Sequence, residues 1–247
     1  MTPFLQACIK ANEEIALKLE RGFESSWFEK TQKGAGGDIS SGFDLMAEAV
    51  FVKYLSSFGQ IESEESGIIG EGEETIILDP IDGSDNALAL FPFYGTSVAK
   101  INADGILDAA VVCNLANGDI FLKSDQNEVL QGKLFCSEFQ APSVSLYSKI
   151  GLFEKAYAHF DVVKALNDAK LKFRAPGAVA LSLAYARNVQ YVLYVGAFRI
   201  YDFAAGLALC EGLEVIVEAD YVIVSKEREV AYQIEALLKD LKNRRAE

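Results

Sequence analysis

Two carboxylates three positions apart, Asp79 and Asp82, stand in the stretch Ile77 to Asn86, which reads ILDPIDGSDN. The apolar run Ile76-Ile77-Leu78 delivers them to the point where a strand is expected to stop, because Pro80 lacks a backbone donor and holds the preceding residue extended. Gly83 lets the backbone approach a ligand closely. With Ser84 and Asp85 it opens an expected helix, so the amides of Gly83, Ser84 and Asp85 form a candidate anion cradle. Hard carboxylate oxygens beside such a cradle suit Mg²⁺ and a phosphate ester together. Read alone, Asp-Pro and Asp-Gly are also ordinary turn dipeptides.

Further acids lie elsewhere in the chain. Between Gly59 and Glu74 stand Glu62, Glu64, Glu65, Glu71, Glu73 and Glu74, interrupted by Gly67, Gly70 and Gly72. Like charges this dense are either solvated or gathered by a cation. Ile61 to Glu65 is expected to be a short strand end, with Glu62 and Glu64 on one face, Glu65 on the other, and the remaining glutamates on an exposed hairpin. Asp44 falls in the first turn of an expected helix, where an acid also complements the helix dipole. Asp202 heads Phe203-Ala204-Ala205-Gly206; a carboxylate there is costly to bury unless it caps the helix or meets a cation.

Composition narrows the chemistry. The single histidine, His159, excludes a His-rich zinc or iron site and is expected on a surface helix, so any metal must be held by oxygen. Cys8, Cys113, Cys136 and Cys210 lie far apart, which excludes a zinc ribbon or disulfide framework and reads as buried small side chains in a reducing cytoplasm. A formal charge of −13, from 36 acidic against 23 basic residues, makes nucleic acid a poor partner. A small anionic substrate then needs a local cation. The N-terminus lacks signal-peptide features and no apolar run spans a bilayer, so a cytoplasmic protein without membrane contact is expected.

Elements must position these acids. Helical periodicity runs from Pro3 to about Arg21, and again from Phe43 to Leu55 behind a Gly-rich segment, Lys33 to Gly42, that reads as flexible. After the central turn come three strands of an antiparallel meander, 96–101, 107–114 and 120–123, with Gly-containing turns between them. From about Phe135 strands and helices alternate. A strand is expected at 143–146, helices at 153–159 and 162–169, and a helix at 178–187 after Pro176-Gly177. A buried strand follows at 191–195, then the Asp202 helix, two strands in 214–224 and a closing helix at 227–242.

Glu64-Glu65, the DPIDGS turn and Asp202 before FAAG together resemble the inositol monophosphatase family, from about Lys33 to Val224. RIYDFAAG and RAPGAVALSLAY look most like its archaeal-type branch, whose members often accept both inositol phosphate and fructose bisphosphate. The resemblance implies a layered αβαβα sandwich, a Mg²⁺-dependent, lithium-sensitive phosphomonoesterase acting on a small polyol or sugar phosphate such as inositol 1-phosphate or fructose 1,6-bisphosphate, and a homodimer. It implies two or three Mg²⁺ held by Glu64, Asp79, the Ile81 carbonyl, Asp82 and Asp202. Glu64, Ser84 and Asp44 are implied as the catalytic group that activates water, Asp44 also helping to hold a third, loosely bound ion. Gly83, Ser84, Asp85, Gly177, Ala178 and Arg199 are implied as substrate contacts. Residues 1–134 are expected to form an α+β lobe with the antiparallel sheet and metal site, and 135–247 an α/β lobe completing the site.

Departures from the family pattern are Ser63, where Gly usually precedes the metal glutamate, and Asp85, at a normally neutral place. The other readings are an adenosine 3′,5′-bisphosphate phosphatase, which needs a base-binding surface that no aromatic signature marks, and a catalytically weak binding or regulatory homologue.

Overall fold

Alternating apolar faces on two sheets dictate the architecture, because each face must be covered by a helix layer. A computed structural model describes residues 1–37, 39–124 and 128–246. The first part of the chain runs α1 (Pro3–Glu20), β1 (Lys30–Lys33), β2 (Ile39–Ser41), α2 (Gly42–Leu55), β3 (Gln60–Ser63), β4 (Gly67–Ile69), β5 (Thr75–Asp82) and α3 (Ser84–Leu88). Next come β6 (Gly95–Ile101), β7 (Leu107–Asn114), β8 (Asp119–Lys123) and β9 (Val129–Lys133). The remainder is β10 (Ile150–Glu154), α4 (Phe160–Asp168), β11 (Lys172–Arg174), α5 (Val179–Ala184), β12 (Tyr191–Val195), α6 (Ile200–Ala208), β13 (Glu214–Glu218), β14 (Tyr221–Ser225) and α7 (Arg228–Ala246).

One sheet has the order β4-β3-β5-β6-β7-β8-β9, antiparallel except for the β3–β5 pair. A second has the order β11-β10-β12-β14-β13 and mixes parallel with antiparallel pairs. Side chains alternate along β7 and along β5 as far as Asp79. Ile76, Leu78, Val111 and Cys113 pack under α1 and α2, while Ile77, Ala110 and Val112 pack under α5 and α6. Leu152, Val192 and Val224 of the second sheet meet the far side of α5 and α6, and its other face, Phe153, Leu193 and Ile223, lies on α4 and α7. Four apolar seams thus join five layers in the order αβαβα.

The middle layer is the one that positions chemistry, and it is thin. At Gly206 a Cβ would fall 2.8 Å from Leu183 Cδ1, so only glycine permits the close approach of α6 to α5. This is the close packing expected of the small-residue segment.

Several expectations are corrected. Residues 143–146 form no strand; the strand is β10, and a short 3₁₀ turn over Ala156–Ala158 replaces the helix expected at 153–159. The apolar run Ile150 to Phe153 is satisfied by parallel pairing on both sides, which outweighs its helical spacing. The helix expected at 178–187 ends at Ala184 and passes into a 3₁₀ turn. His159 is half-buried between the Ala156–Ala158 turn and α4, with Nε2 3.0 Å from the Val195 carbonyl, rather than on an open surface. Cys8, Cys113 and Cys210 are buried, but Cys136 is exposed. The Gly-rich segment, apart from Asp38, which lies outside the described residues, is spanned by the β1–β2 hairpin and tied to the Glu64-Glu65 backbone by the Ala35 and Gly36 amides. Among the described residues no helix is long and apolar enough to cross a membrane.

Candidate functional site

Contrary to the expectation from Pro80, β5 runs on through it to Asp82. Asp79 pairs with Ser97 and Asp82 with Gly95, so three steps on β5 face two on β6. The extra residue is a bulge, which absorbs the missing proline donor and re-aims the side chains that follow. Asp79 and Asp82 therefore both face one cavity of about 440 Å³, whose wall also includes Asp44, Glu64, Ser84 and Asp202. Gly83 then turns the chain into α3 with φ 87° and ψ 44°. A Cβ there would sit 3.0 Å from the Ala178 Cβ and 3.2 Å from the Gly177 carbonyl, so glycine is needed for conformation and for space.

Three elements far apart in sequence bring acids together. Glu64 follows β3, Asp79 lies on β5, and Asp202 occupies the first turn of α6; one oxygen from each lies within 4.8 Å of the others. All three are buried, and Asp79 Oδ1 has no hydrogen-bond partner. Burial first, then Glu64, Asp82, Asp202 and Asp44, hold the Asp79 carboxyl well above the usual carboxylate range. Arg199, just ahead of α6, donates to Asp202 from Nε (3.0 Å) and Nη2 (3.1 Å), and to Glu64 from Nη1 (2.6 Å). An oxygen-only donor set with an orphaned buried carboxylate oxygen fits a hard divalent cation.

Asp82 lies beside this trio and is held differently. Its Oδ2 accepts the Leu181 amide of α5 at 2.8 Å, and burial, opposed by such amides, raises its pKa as well. The Ile81 carbonyl accepts from the Ser84 hydroxyl at 2.9 Å. The same hydroxyl hydrogen has Asp44 Oδ1 as its alternative and nearer acceptor at 2.7 Å, while Asp44 Oδ2 accepts the Ser41 amide and hydroxyl, each at 2.7 Å. Asp44 is thus a helix cap and a partner of Ser84 at once. The Glu62 and Tyr201 side chains approach each other at 3.5 Å; Glu65, which accepts from Ser40, lines the same cavity as Glu64 rather than the opposite face, because β3 ends at Ser63 and alternation does not extend into the turn.

Gly177 and Ala178 are brought against Gly83, and the Asn86 amide locks the junction by donating to the Phe93 and Pro176 carbonyls at 2.7 Å. Asp85 lines the cavity but is exposed. Sequence reasoning missed Glu154. It is buried at the end of β10, accepts the Gly177 amide at 2.9 Å and the Ser182 hydroxyl at 2.5 Å, and lines the cavity; burial first raises its pKa. The signal was present, since Glu154 closes an apolar strand run as Asp79 does, but the expected helix at 153–159 concealed it. Lys30, Lys155 and Tyr157, also in the wall, carried no comparable signal.

The Inositol monophosphatase family profile matches residues 1–218 of the chain. A fructose-1,6-bisphosphatase/inositol-1-monophosphatase of Methanothermobacter thermautotrophicus is 32% identical over 200 residues, covering 72% of this chain and 70% of that protein. The Nus factor SuhB of Escherichia coli K12 is 28% identical over 219 residues, covering 83% of this chain and 81% of that protein. Among solved structures, the extragenic suppressor protein suhB from Bartonella henselae superposes with a TM-score of 0.77 over 96% of this chain and 98% of that one, at 23% identity. The chain belongs to the inositol monophosphatase family, and its layered α/β fold is that of the family. Membership makes it a phosphatase, a phosphoric monoester hydrolase.

Proposed function

We propose that this chain is a Mg²⁺-dependent phosphomonoesterase that hydrolyses a small polyol or sugar phosphate, inositol 1-phosphate, fructose 1,6-bisphosphate or both. The observation that carries the reading is the convergence of Glu64, Asp79 and Asp202 around the unpartnered Asp79 Oδ1. Those three residues would hold one cation, and Asp82 with the Ile81 carbonyl would help hold a second beside it; Asp44 would serve a third. When bound, the metal supplies charge neutralisation for the phosphoryl oxygens and the leaving alkoxide.

The chain's own groups supply the rest. Ser84 Oγ directs its one hydrogen to Asp44 Oδ1, the shorter of its two contacts, which leaves a lone pair for the cavity. That lone pair accepts a hydrogen from the attacking water and orients it, and Glu64 at the same wall takes up the proton. Gly83 and Ser84 would seat the phosphate where β5 meets α3. Gly177 and Ala178, pinned by Glu154, would border the polyol ring. Asp85 is solvated, so its charge is screened from the phosphate by water and salt. Neither cysteine nor histidine is among the described residues of the cavity wall, so direct attack by water suits the site better than a phosphoenzyme on either.

We extend the proposal to two or three ions per site, to inhibition by Li⁺ and to a homodimer, as the family resemblance implies, and to a cytoplasmic location, as the sequence suggests. The test is phosphate release from inositol 1-phosphate, fructose 1,6-bisphosphate and adenosine 3′,5′-bisphosphate, with Mg²⁺, with chelator, and with Li⁺ added. Turnover of either of the first two that disappears in chelator supports the reading. Preference for the adenosine ester would move the substrate class, and Mg²⁺ binding without release from any ester would leave a regulatory homologue.

A further inference from the structure

A guanidinium stands where a divalent cation would be wanted. Arg199 closes its fork on both oxygens of Asp202 and turns Nη1 to Glu64 Oε1 at 2.6 Å. These are two of the three acids whose oxygens converge with Asp79, and Asp79 keeps Oδ1 buried without a partner. One delocalised positive charge therefore offsets two carboxylates of the trio and leaves the third to burial.

The fork has a structural origin. Arg199 is the extended residue ahead of α6, at φ −115° and ψ 135°, and Asp202 lies three positions on, so the helix start itself sets the bidentate geometry. The exposure of the two sides is unequal. The Asp202 and Glu64 side chains retain 4% and 11% exposure, whereas Arg199 retains 31%, so the arginine is the member with room to leave.

We propose that Arg199 is the built-in counter-ion of the metal-free protein, competing with a divalent cation for Glu64 and Asp202 and, once displaced, turning its guanidinium to the anion in the cavity. The inference rests on reading Glu64, Asp79 and Asp202 as a cation site. The guanidinium takes up lone pairs on Glu64 Oε1 and on both Asp202 oxygens that a dication would also draw on, and like charges a few ångströms apart repel strongly at a partly dry site. Metal entry therefore competes with these three hydrogen bonds. The released fork is shaped for phosphate oxygens, which it meets in bidentate fashion. Two consequences follow: the metal binds more weakly than the bare trio would bind it, and the anion binds after the metal.

The experiment compares the intact protein with Arg199→Met and Arg199→Lys by calorimetric titration with MgCl₂ and then with inorganic phosphate. Melting is followed in chelator and in saturating Mg²⁺. Arg199→Met is expected to bind Mg²⁺ at least tenfold more tightly, to melt below the parent in chelator but level with it in Mg²⁺, and to bind phosphate at least fivefold more weakly once loaded. Arg199→Lys, which keeps the charge and loses the fork, is expected between the two for Mg²⁺. A Mg²⁺ affinity in Arg199→Met within twofold of the parent, or weaker, overturns the inference; if that variant does not fold, Arg199→Lys decides by the same sign. If no form binds a divalent cation, the cation site and the inference fail together. Tighter Mg²⁺ binding by Arg199→Met in a protein that releases phosphate from no ester keeps the inference and removes the phosphatase reading.

Discussion

Two sets of buried acid lie on either side of the turn after β3, and they are satisfied in opposite ways. Glu48 of α2 is buried, and the chain supplies donors to both of its oxygens. Oε2 accepts the Ser63 hydroxyl at 2.5 Å and the Ser66 amide at 3.0 Å, and Oε1 accepts the Ser66 hydroxyl at 2.5 Å. Asp79 is as deeply buried, but it faces other carboxylates, and its Oδ1 has no partner. Burial of an acid is therefore not what marks the site, nor is an unpartnered oxygen alone, since Asp108 Oδ1 also lacks a partner; the mark is the convergence of Glu64 and Asp202 on the unpartnered Asp79 Oδ1. The comparison also accounts for Ser63, the departure from the family's usual glycine. Its hydroxyl donates to Glu48 and accepts the Glu65 amide at 3.3 Å, so it holds the turn that aims Glu64.

The contrast is broken or sharpened by substitutions on each side. The largest effect is expected from Asp79→Asn or Asp82→Asn, which should each lower phosphate release by about 10³-fold or more. Melting in chelator should not fall with them, and residual turnover above a tenth of the parent would remove the distinction between the two sets. Glu48→Ala should instead act on the fold. It strands three donors, for a loss of about 3 kcal/mol in urea unfolding, equal with and without Mg²⁺. A loss confined to the Mg²⁺-loaded state would mean that Glu48 belongs to the site after all.

The pH dependence separates the sets by sign. Burial and neighbouring carboxylates raise the Asp79 pKa, so its contribution to stability is fully present below the ordinary aspartate value of about 3.9 and is lost as pH rises through the raised one. In chelator, the parent should therefore lose Tm toward pH 8 relative to Asp79→Asn, the gap closing as the pH is lowered. Parallel Tm curves for the two would contradict the raised pKa. The smallest effect is expected from Asp85→Asn. That residue is exposed, so KM for the phosphate ester should change by less than about fivefold at 0.15 M salt, with Tm unchanged.

Much of the fold was legible in the chain. The meander between residues 96 and 123 was written in period-2 alternation with Gly turns, and β6, β7 and β8 follow it. The strand β9 went unread because its half-buried edge position leaves only weak alternation. Around 143–159 local spacing favoured the wrong elements, because β10 is stabilised by β11 and β12, which come later in the sequence. At Pro80 local chemistry forecast a stop, and pairing with β6 carried the strand past it through a bulge.

By itself the sequence determined the inventory. It specifies oxygen donors and one histidine, a Gly after Asp82 that alone allows the turn into α3, acids at the ends of apolar runs, and a small-residue helix able to enter a thin layer. These are local properties, encoded by residue type and by separations of a few positions. Only the tertiary structure decided which acids share a cavity, that Glu48 is filled while Asp79 is not, that Glu154 pins Gly177, and that Arg199 bridges Glu64 and Asp202. The physical reason is that hydrogen-bond satisfaction and desolvation depend on partners as far as 139 positions away, whose arrival is set by sheet pairing and layer packing.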